Sequence, residues 1–142
     1  MTPREFFDEL NKHEHIAWDI DGTLLEADHA KHLFAWVAAN QQKKHYLVTF
    51  RNGHLLDSLE DEIENERAGG RALFQRLHTM PEHIKWDKET EEIRTYKPNV
   101  CAENGYTVLI DDLTFLKEEC ENFGIVYLNP ADSLSKSFIT EW

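Results

Sequence analysis

Long hydrophobic runs are absent from this sequence, and no stretch approaches the roughly 20 apolar residues that a membrane-spanning helix needs. The opening segment MTPREFFDELNK carries too many charges for a secretory signal peptide. Cysteine is scarce: Cys101 and Cys120 are too far apart for a CxxC site and give no disulfide framework. We therefore expect a cytoplasmic protein without a membrane segment.

Positive charge is also scarce, because 15 Lys and Arg residues face 27 Asp and Glu residues and leave a net charge of −12. Tight non-specific binding of nucleic acid depends on basic side chains that neutralise phosphates, so this composition argues against it. The hydrophobic fraction of 41% and the length of 142 residues are typical of one globular domain, expected to span 1–142. Nucleic acid is therefore expected only as a substrate, and nothing indicates the oligomeric state.

The hydrophobic pattern predicts alternating helices and strands. Helices are expected over residues 2–10, 28–40, 54–67 and 114–124. Strands are expected over residues 15–20, 45–49, 106–111 and 125–128, with a short strand near 72–77. Because the strands are apolar throughout and alternate with helices, they predict an α/β fold: a single Rossmann-like domain with a parallel sheet flanked by helices.

Polar side chains end three of these strands. Asp19 ends the first strand and Asp21 lies two residues on, Thr49 closes the second, and Asp111 and Asp112 end the strand over 106–111. Ligands of parallel sheets bind outside the carboxyl ends of the strands, so we expect these side chains to share one rim suited to phosphate or a metal ion. The alternatives are a turn signal in DIDGT, a helix cap at Asp111–Asp112 and a solvent-facing strand residue at Thr49.

The segment DIDGTL resembles the first motif of the haloacid dehalogenase superfamily, Asp-x-Asp-Gly-Thr. Thr49 in LVTFRN is similar to the second motif, Lys97 in YKPN to the third, and the acidic pair in LIDDL to the fourth. These motifs occur in the superfamily's order, from residue 19 to 112. The Thr-x-Arg form of the second motif, which includes Arg51, and the Ile-Asp-Asp form of the fourth are similar to branches that act on nucleotides and on nucleic-acid ends.

The resemblance implies a phosphatase that works through a covalent aspartyl-phosphate. Asp19 would be the nucleophile, and Asp21 would protonate the leaving oxygen and later activate water. Thr49 and Lys97 would bind the phosphoryl oxygens, with Lys85 and Lys88 as alternatives to Lys97.

The resemblance also implies a Mg²⁺ ion at the same strand ends. Its ligands would be the Asp19 carboxylate, the backbone carbonyl of Asp21 and Asp111. Because the fourth motif is an Asp-Asp pair, Asp112 is an alternative to Asp111 as the metal ligand.

Basic residues are concentrated over residues 67–97, a segment called here the basic island, with seven basic and five acidic side chains. Chain order predicts that it lies beside the rim with Thr49 and Lys97. A locally positive patch would attract an anionic substrate, so Arg71 and Arg76, together with Arg51, are candidate substrate-binding residues. The alternative is that these side chains only pair with acids of the same segment.

The spacing between the motifs is short, with 27 residues between Asp21 and Thr49 and 47 between Thr49 and Lys97. The resemblance therefore implies a nearly capless member of the superfamily. Three functions stay open: a Mg²⁺-dependent phosphomonoesterase acting on a nucleotide or other small phosphate, a phosphatase for a nucleic-acid 3′ end, and a non-catalytic binding module. The acidic composition weighs against the second function, and the complete set of motif residues weighs against the third.

Overall fold

The structure, a computed structural model, describes residues 1–134 and contains one five-stranded sheet in which all paired strands are parallel. The strands are β1 (His15–Trp18), β2 (Lys44–Val48), β3 (Arg76–His78), β4 (Val108–Ile110) and β5 (Val126–Leu128). The helices are α1 (Pro3–Asn11), α2 (Ala30–Ala39), α3 (Leu59–Glu66), α4 (Glu91–Asn104), α5 (Leu116–Asn122) and α6 (Pro130–Ser133). The predicted fold class is confirmed, while residues 135–142 of the expected single domain lie outside the described range.

The strand order in the sheet is β3-β2-β1-β4-β5, which places β1 at the centre. Trp18, the last residue of β1, pairs with Leu47 on one side and with Ile110 on the other. From β1 the chain builds outward to β2 and β3, then crosses back to place β4 on the other side of β1. Ligands of such doubly wound sheets bind at the carboxyl edge beside this reversal, which here lies between β1 and β4.

Helices cover both faces of the sheet. The first three helices pack on one face, in a core that includes Trp18 and Phe34, and α4 and α5 pack on the other, around Ala17 and Leu109. Neighbouring residues of β1 therefore point into different cores, and both are fully buried. This two-sided burial explains why the strands are apolar throughout instead of alternating with polar residues.

The largest helix, α4, was not predicted from the sequence. Thr90 caps its start by accepting a hydrogen bond from the Ile93 N–H, and Gly105 follows its end in the left-handed region at φ 76°. Its buried face includes Lys97, and Pro98 lies within the helix, where it removes one backbone donor. Because a lysine lies on the buried face and a proline lies inside the helix, the sequence does not show the regular spacing of apolar residues, one per 3.6 residues, that predicts a helix.

Other element bounds also differ from the predictions. The helix expected over 54–67 is divided into a 3₁₀ turn at Gly53–Leu56 and helix α3, and α6 was not predicted. The short strand expected near 72–77 is β3, preceded by a 3₁₀ turn at Arg71–Leu73. None of the helices described within residues 1–134 is long and apolar enough to cross a membrane.

Candidate active site

Three carboxylates meet at the carboxyl edge of the sheet, beside the reversal between β1 and β4. Asp19 follows β1, and its N–H donates to the Ile110 carbonyl at 2.9 Å, which continues the pairing of β1 with β4. Asp111 and Asp112 follow β4. One oxygen from each of the three carboxylates lies within 4.8 Å of the others, and Asp19 and Asp111 are buried. Such a concentration of negative charge requires cations nearby.

Lys97 supplies one of these cations. Its Nζ donates to Asp19 Oδ1 and to Asp111 Oδ2, each at 2.6 Å, and lies 4.4 Å from the centroid of the Phe50 ring. Burial disfavours the charged ammonium, but the Asp111 and Asp19 carboxylates outweigh this effect and raise the pKa of Lys97. The charged lysine therefore joins α4 to the ends of β1 and β4.

A single lysine does not compensate the whole cluster. Burial raises the pKa of Asp19 well above its usual value, and the Asp111 carboxylate raises it further, while Lys97 opposes both effects. Burial likewise raises the pKa of Asp111 against the attraction of Lys97 and a hydrogen bond from the Leu113 N–H at 2.9 Å. A second cation beside these carboxylates would favour their ionised forms.

The donor set fits a hard divalent cation such as Mg²⁺. Carboxylate oxygens are its preferred protein ligands, and oxygens on opposite sides of an octahedral Mg²⁺ ion lie about 4.2 Å apart. Oxygens of Asp19, Asp111 and Asp112 within 4.8 Å of one another are close to that spacing. The structure thus brings both Asp111 and Asp112 to Asp19, and the choice of Asp111 over Asp112 as the metal ligand stays a prediction.

The backbone turn after Asp19 brings further groups to the cluster. Leu24 and Leu25 donate their N–H groups to the Ile20 carbonyl, and the buried Thr23 donates its hydroxyl to Asp19 Oδ2 at 3.0 Å. Thr23 belongs to the DIDGTL motif, but no role was predicted for it from the sequence. With Lys97 on Oδ1 and Thr23 on Oδ2, both oxygens of Asp19 are held in place.

Gly22 is required for this turn by conformation and by space. Its φ of +78° lies in the left-handed region that side chains other than glycine rarely adopt. A Cβ at this position would lie 2.9 Å from Cγ of Asp112 and would collide with its carboxylate. Glycine at position 22 therefore lets Asp112 approach the turn that follows Asp19.

Asp21 is bound by an arginine. Arg51 donates from Nε and Nη2 to the two carboxylate oxygens of Asp21 at 2.9 and 2.7 Å. The same guanidinium donates from Nη1 to Glu62 of α3 at 2.6 Å. The hydrogen bonds that Arg51 donates to Asp21 and Glu62 raise the pKa of Arg51, and the bond that Glu62 accepts from it lowers the pKa of Glu62 to about 2. Arg51 thus anchors Asp21, whose side chain is 49% exposed, to helix α3.

Thr49 and Lys97 lie at the same edge of the sheet as Asp19. Thr49 follows β2, its hydroxyl oxygen accepts the Arg51 N–H at 3.0 Å, and its own N–H donates to the His78 carbonyl at 3.0 Å. Lys85 and Lys88 are exposed, on the loop between β3 and α4. The structure therefore brings Lys97, and neither of those two lysines, to Asp19.

A cavity of about 200 Å³ opens beside the carboxylates. Its walls combine acidic groups with apolar rings, and it is lined by Asp19, Asp21, Phe50, Trp86, Asp112 and Leu113. The aromatic wall was not predicted: nothing in the sequence distinguishes Trp86 from the other tryptophans.

The structure does not bring Arg71 and Arg76 to this cavity. Arg71, in the 3₁₀ turn before β3, donates from Nη1 to the Phe74 carbonyl at 2.9 Å, and its Nε lies 3.7 Å from Glu60. Arg76 begins β3, and its Nη1 donates to Oδ1 of Asn104, the last residue of α4, at 3.4 Å. Both arginines are thus near the amino ends of the strands, because the chain enters β3 from the edge opposite to the carboxylates.

Comparisons with known proteins support the fold alone. No protein-family model matches the chain, and no curated protein matches its sequence. A solved structure of an uncharacterised protein from Corynebacterium glutamicum is similar with a TM-score of 0.56, 13% identity and 91% of each chain covered. The core domain of a provisionally assigned phosphoglycolate phosphatase from Streptococcus pneumoniae is similar with a TM-score of 0.53 and 19% identity, over 87% of this chain and 84% of the other.

Proposed function

We propose that this protein is a Mg²⁺-dependent phosphomonoester hydrolase of the haloacid dehalogenase type, working through a phosphorylated Asp19. The observation that carries the proposal is the arrangement around Asp19. Both of its oxygens are hydrogen-bonded, two further carboxylates lie beside it, and it borders an open cavity. The fold shared with the provisionally assigned Streptococcus pneumoniae phosphatase is compatible with this function.

The proposed reaction has two displacements at phosphorus. A carboxylate oxygen of Asp19 attacks the phosphorus atom, the ester P–O bond breaks, and the leaving oxygen takes a proton from Asp21. Water then attacks the phosphorus atom of the aspartyl-phosphate and gives a proton to Asp21. The P–O bond to Asp19 breaks, so that inorganic phosphate is released and the Asp19 carboxylate is restored. The position of Asp21, two residues from Asp19 and in the lining of the same cavity, supports this proposed role in both transfers.

The remaining groups would stabilise charge. Lys97 favours the ionised, nucleophilic form of Asp19 through its hydrogen bond at 2.6 Å, and we propose that Lys97 and the Thr49 hydroxyl bind phosphoryl oxygens. Mg²⁺ held by Asp19, Asp111 and Asp112 would neutralise the negative charge between the nucleophile and the phosphate. Arg51 is assigned to positioning Asp21 instead of contacting substrate.

The proposed substrate is a nucleotide or another small phosphate ester. The segment between Asp21 and Thr49 contains α2 and β2, and the segment between Thr49 and Lys97 contains α3, β3 and the start of α4, so both are occupied by elements of the core. Because these elements leave the cavity open to larger molecules, a nucleic-acid 3′ end is a second candidate.

The test is an assay with 4-nitrophenyl phosphate after metal removal by chelation, and again after adding MgCl₂. We expect turnover only with the added cation, and we expect Asp19→Asn to abolish it without unfolding the protein. Asp8→Asn, which changes an exposed carboxylate on α1, is the matched control and should keep full activity. Undiminished turnover after chelation, or in Asp19→Asn, would refute the mechanism, and a wild-type protein inactive on every ester would favour the non-catalytic binding module.

A further inference from the structure

Trp86 is placed unlike a core tryptophan. Its side chain is 50% exposed, whereas Trp18 is fully buried. Exposed apolar residues scattered singly over a surface are ordinary. Trp86, however, lines the cavity that also contains Asp19 and Asp21, so its indole forms part of the proposed substrate site.

Other rings hold the indole in place. The ring centroids of Phe50 and Trp86 are 4.8 Å apart at an interplanar angle of 64°, and those of Trp86 and Phe115 are 5.9 Å apart at 51°. Phe50 itself is contacted by the Lys97 ammonium. Because inclined rings at these distances attract one another, Trp86 is oriented before any ligand binds.

The loop that carries Trp86 is also fastened to the site. Asn52 donates from Nδ2 to the carbonyls of Pro81 and Ile84, each at 2.8 Å. On the other side of Trp86, the Thr90 hydroxyl donates to the Asp87 carbonyl at 2.9 Å. The loop is thereby tied to the segment that follows Thr49, so the position of the indole is set relative to the proposed catalytic groups.

The size of the cavity limits what it can enclose. Pockets that bury a whole drug-sized ligand have volumes of roughly 300–1,000 Å³. A cavity of about 200 Å³ suits the phosphate end of an ester, with the rest of the molecule extending over the rim. The charged groups that line the cavity are the carboxylates Asp19, Asp21 and Asp112. They would repel a second anionic group close by, so the part of the ester next to the cavity is best neutral.

We infer that Trp86 determines substrate specificity, and that the substrate is a phosphomonoester whose neutral nucleobase stacks on the exposed indole. This inference rests on the proposed function and names the substrate class of the same site. The nucleobase belongs either to a mononucleotide or to the end of a single-stranded oligonucleotide, and both sources present the same ring to Trp86. Stacking of one base on an aromatic side chain is worth a factor of about 5 to 150 in affinity.

The experiment compares two esters that differ by the base alone. We would measure kcat/KM for adenosine 5′-monophosphate and for ribose 5-phosphate with the wild type, Trp86→Ala, Trp86→Leu and Trp86→Phe. The wild type should prefer the nucleotide, and Trp86→Ala and Trp86→Leu should lower the nucleotide-to-sugar ratio by about 5- to 150-fold, mainly through KM. Trp86→Phe should keep most of the preference because phenylalanine retains an aromatic face.

Trp86→Leu and a control variant distinguish stacking from packing. Leucine keeps an apolar contact with Phe50 and Phe115 but has no planar face. Phe123→Ala removes another exposed ring, at the end of α5, and should leave the ratio unchanged. An unchanged ratio in Trp86→Ala and Trp86→Leu, or an equal loss on both esters, would overturn the inference while leaving the phosphatase proposal intact.

A binding measurement separates this inference from the proposed function. Calorimetric titration of Asp19→Asn with each ester does not require turnover, and the double variant Asp19→Asn/Trp86→Leu should lose the preference for the nucleotide. Preferential nucleotide binding that depends on Trp86 in a protein without phosphatase activity would refute the proposed catalysis and keep the inferred ligand. Equal affinity for the two esters would refute the inference. To identify the source of the base, turnover of a 3′-phosphorylated dinucleotide by the active protein is compared with that of the mononucleotide. If the dinucleotide is turned over faster, with the same dependence on Trp86, the base belongs to a nucleic-acid end.

Discussion

Two cations join four of the acidic side chains of the site into two pairs. Lys97 joins Asp19 to Asp111, and Arg51 joins Asp21 to Glu62. The two aspartates of the DIDGT segment therefore have different partners and different exposure, although they are two residues apart. This difference suits a division between a buried nucleophile and a more accessible group for proton transfer.

Replacing Arg51 by alanine tests its role in positioning Asp21. Without the two hydrogen bonds, the Asp21 carboxylate is free to rotate, so proton transfer to a poor leaving group should slow. We expect kcat/KM to fall about 10- to 100-fold with ribose 5-phosphate and much less with 4-nitrophenyl phosphate, whose leaving group needs no proton. Arg76→Ala, at the opposite edge of the sheet, is the control. Equal losses on both esters would show that Arg51 only supports the fold.

Site residues could be predicted from the sequence where they belong to a recognisable motif. The motif positions Asp19, Asp111 and Lys97 are brought into contact or close proximity by the structure. The stacking position of Trp86 follows from rings distant in sequence, Phe50 and Phe115, so no local pattern could indicate it.

Helix α4 contributes to the site but was not predicted from the sequence. Helix α4 contributes Lys97 from its buried face and so connects the second core to the carboxylates. Its conventional signals at Thr90 and Gly105 mark both ends, but its interior contains a buried lysine and a proline. An amphipathic pattern predicts helices whose buried face is apolar, and α4 buries a charge for the site instead.

The turn between β1 and α2 offers a second prediction. Gly22→Ala would strain a backbone at φ +78° and push against the Asp112 carboxylate. We expect a loss of about 1–2 kcal/mol in unfolding free energy from the strained backbone, and a higher Mg²⁺ concentration for half-maximal activity because Asp112 is displaced. Denaturant unfolding and Mg²⁺ titration of activity measure the two effects.

Gly124→Ala provides the matched control for this turn. Gly124 also has a positive φ, of +73°, but a Cβ there would meet nothing within 4 Å. Gly124→Ala should therefore lower the unfolding free energy through backbone strain and leave the Mg²⁺ concentration for half-maximal activity unchanged. If Gly22→Ala matches Gly124→Ala in both measurements, the contact between Gly22 and Asp112 has no part in metal binding.

For the whole molecule, the strand-and-helix alternation was sufficient to predict the parallel sheet. It also predicted the edge where Asp19, Thr49 and Asp111 lie, because the carboxyl ends of parallel strands share one edge. The prediction from chain order that Arg71 and Arg76 lie beside the site was wrong, since closeness in sequence to Lys97 does not place a residue at that edge. A segment that enters a strand lies at the amino edge, and the length of β3 separates Arg76 from the site end of the sheet.

The central claim is that Asp19 becomes phosphorylated during turnover. The most direct measurement is acid quenching of Asp21→Asn during reaction with radiolabelled 4-nitrophenyl phosphate and Mg²⁺, followed by peptide mapping; this ester is chosen because its leaving group needs no proton from Asp21, so that Asp19 can still be phosphorylated. Loss of the general base should slow hydrolysis of the intermediate by about 10²–10⁴-fold, so the label should accumulate on the peptide that contains Asp19 and be absent in Asp19→Asn. Turnover by Asp21→Asn without label on protein, or with label on another residue, would contradict the claim.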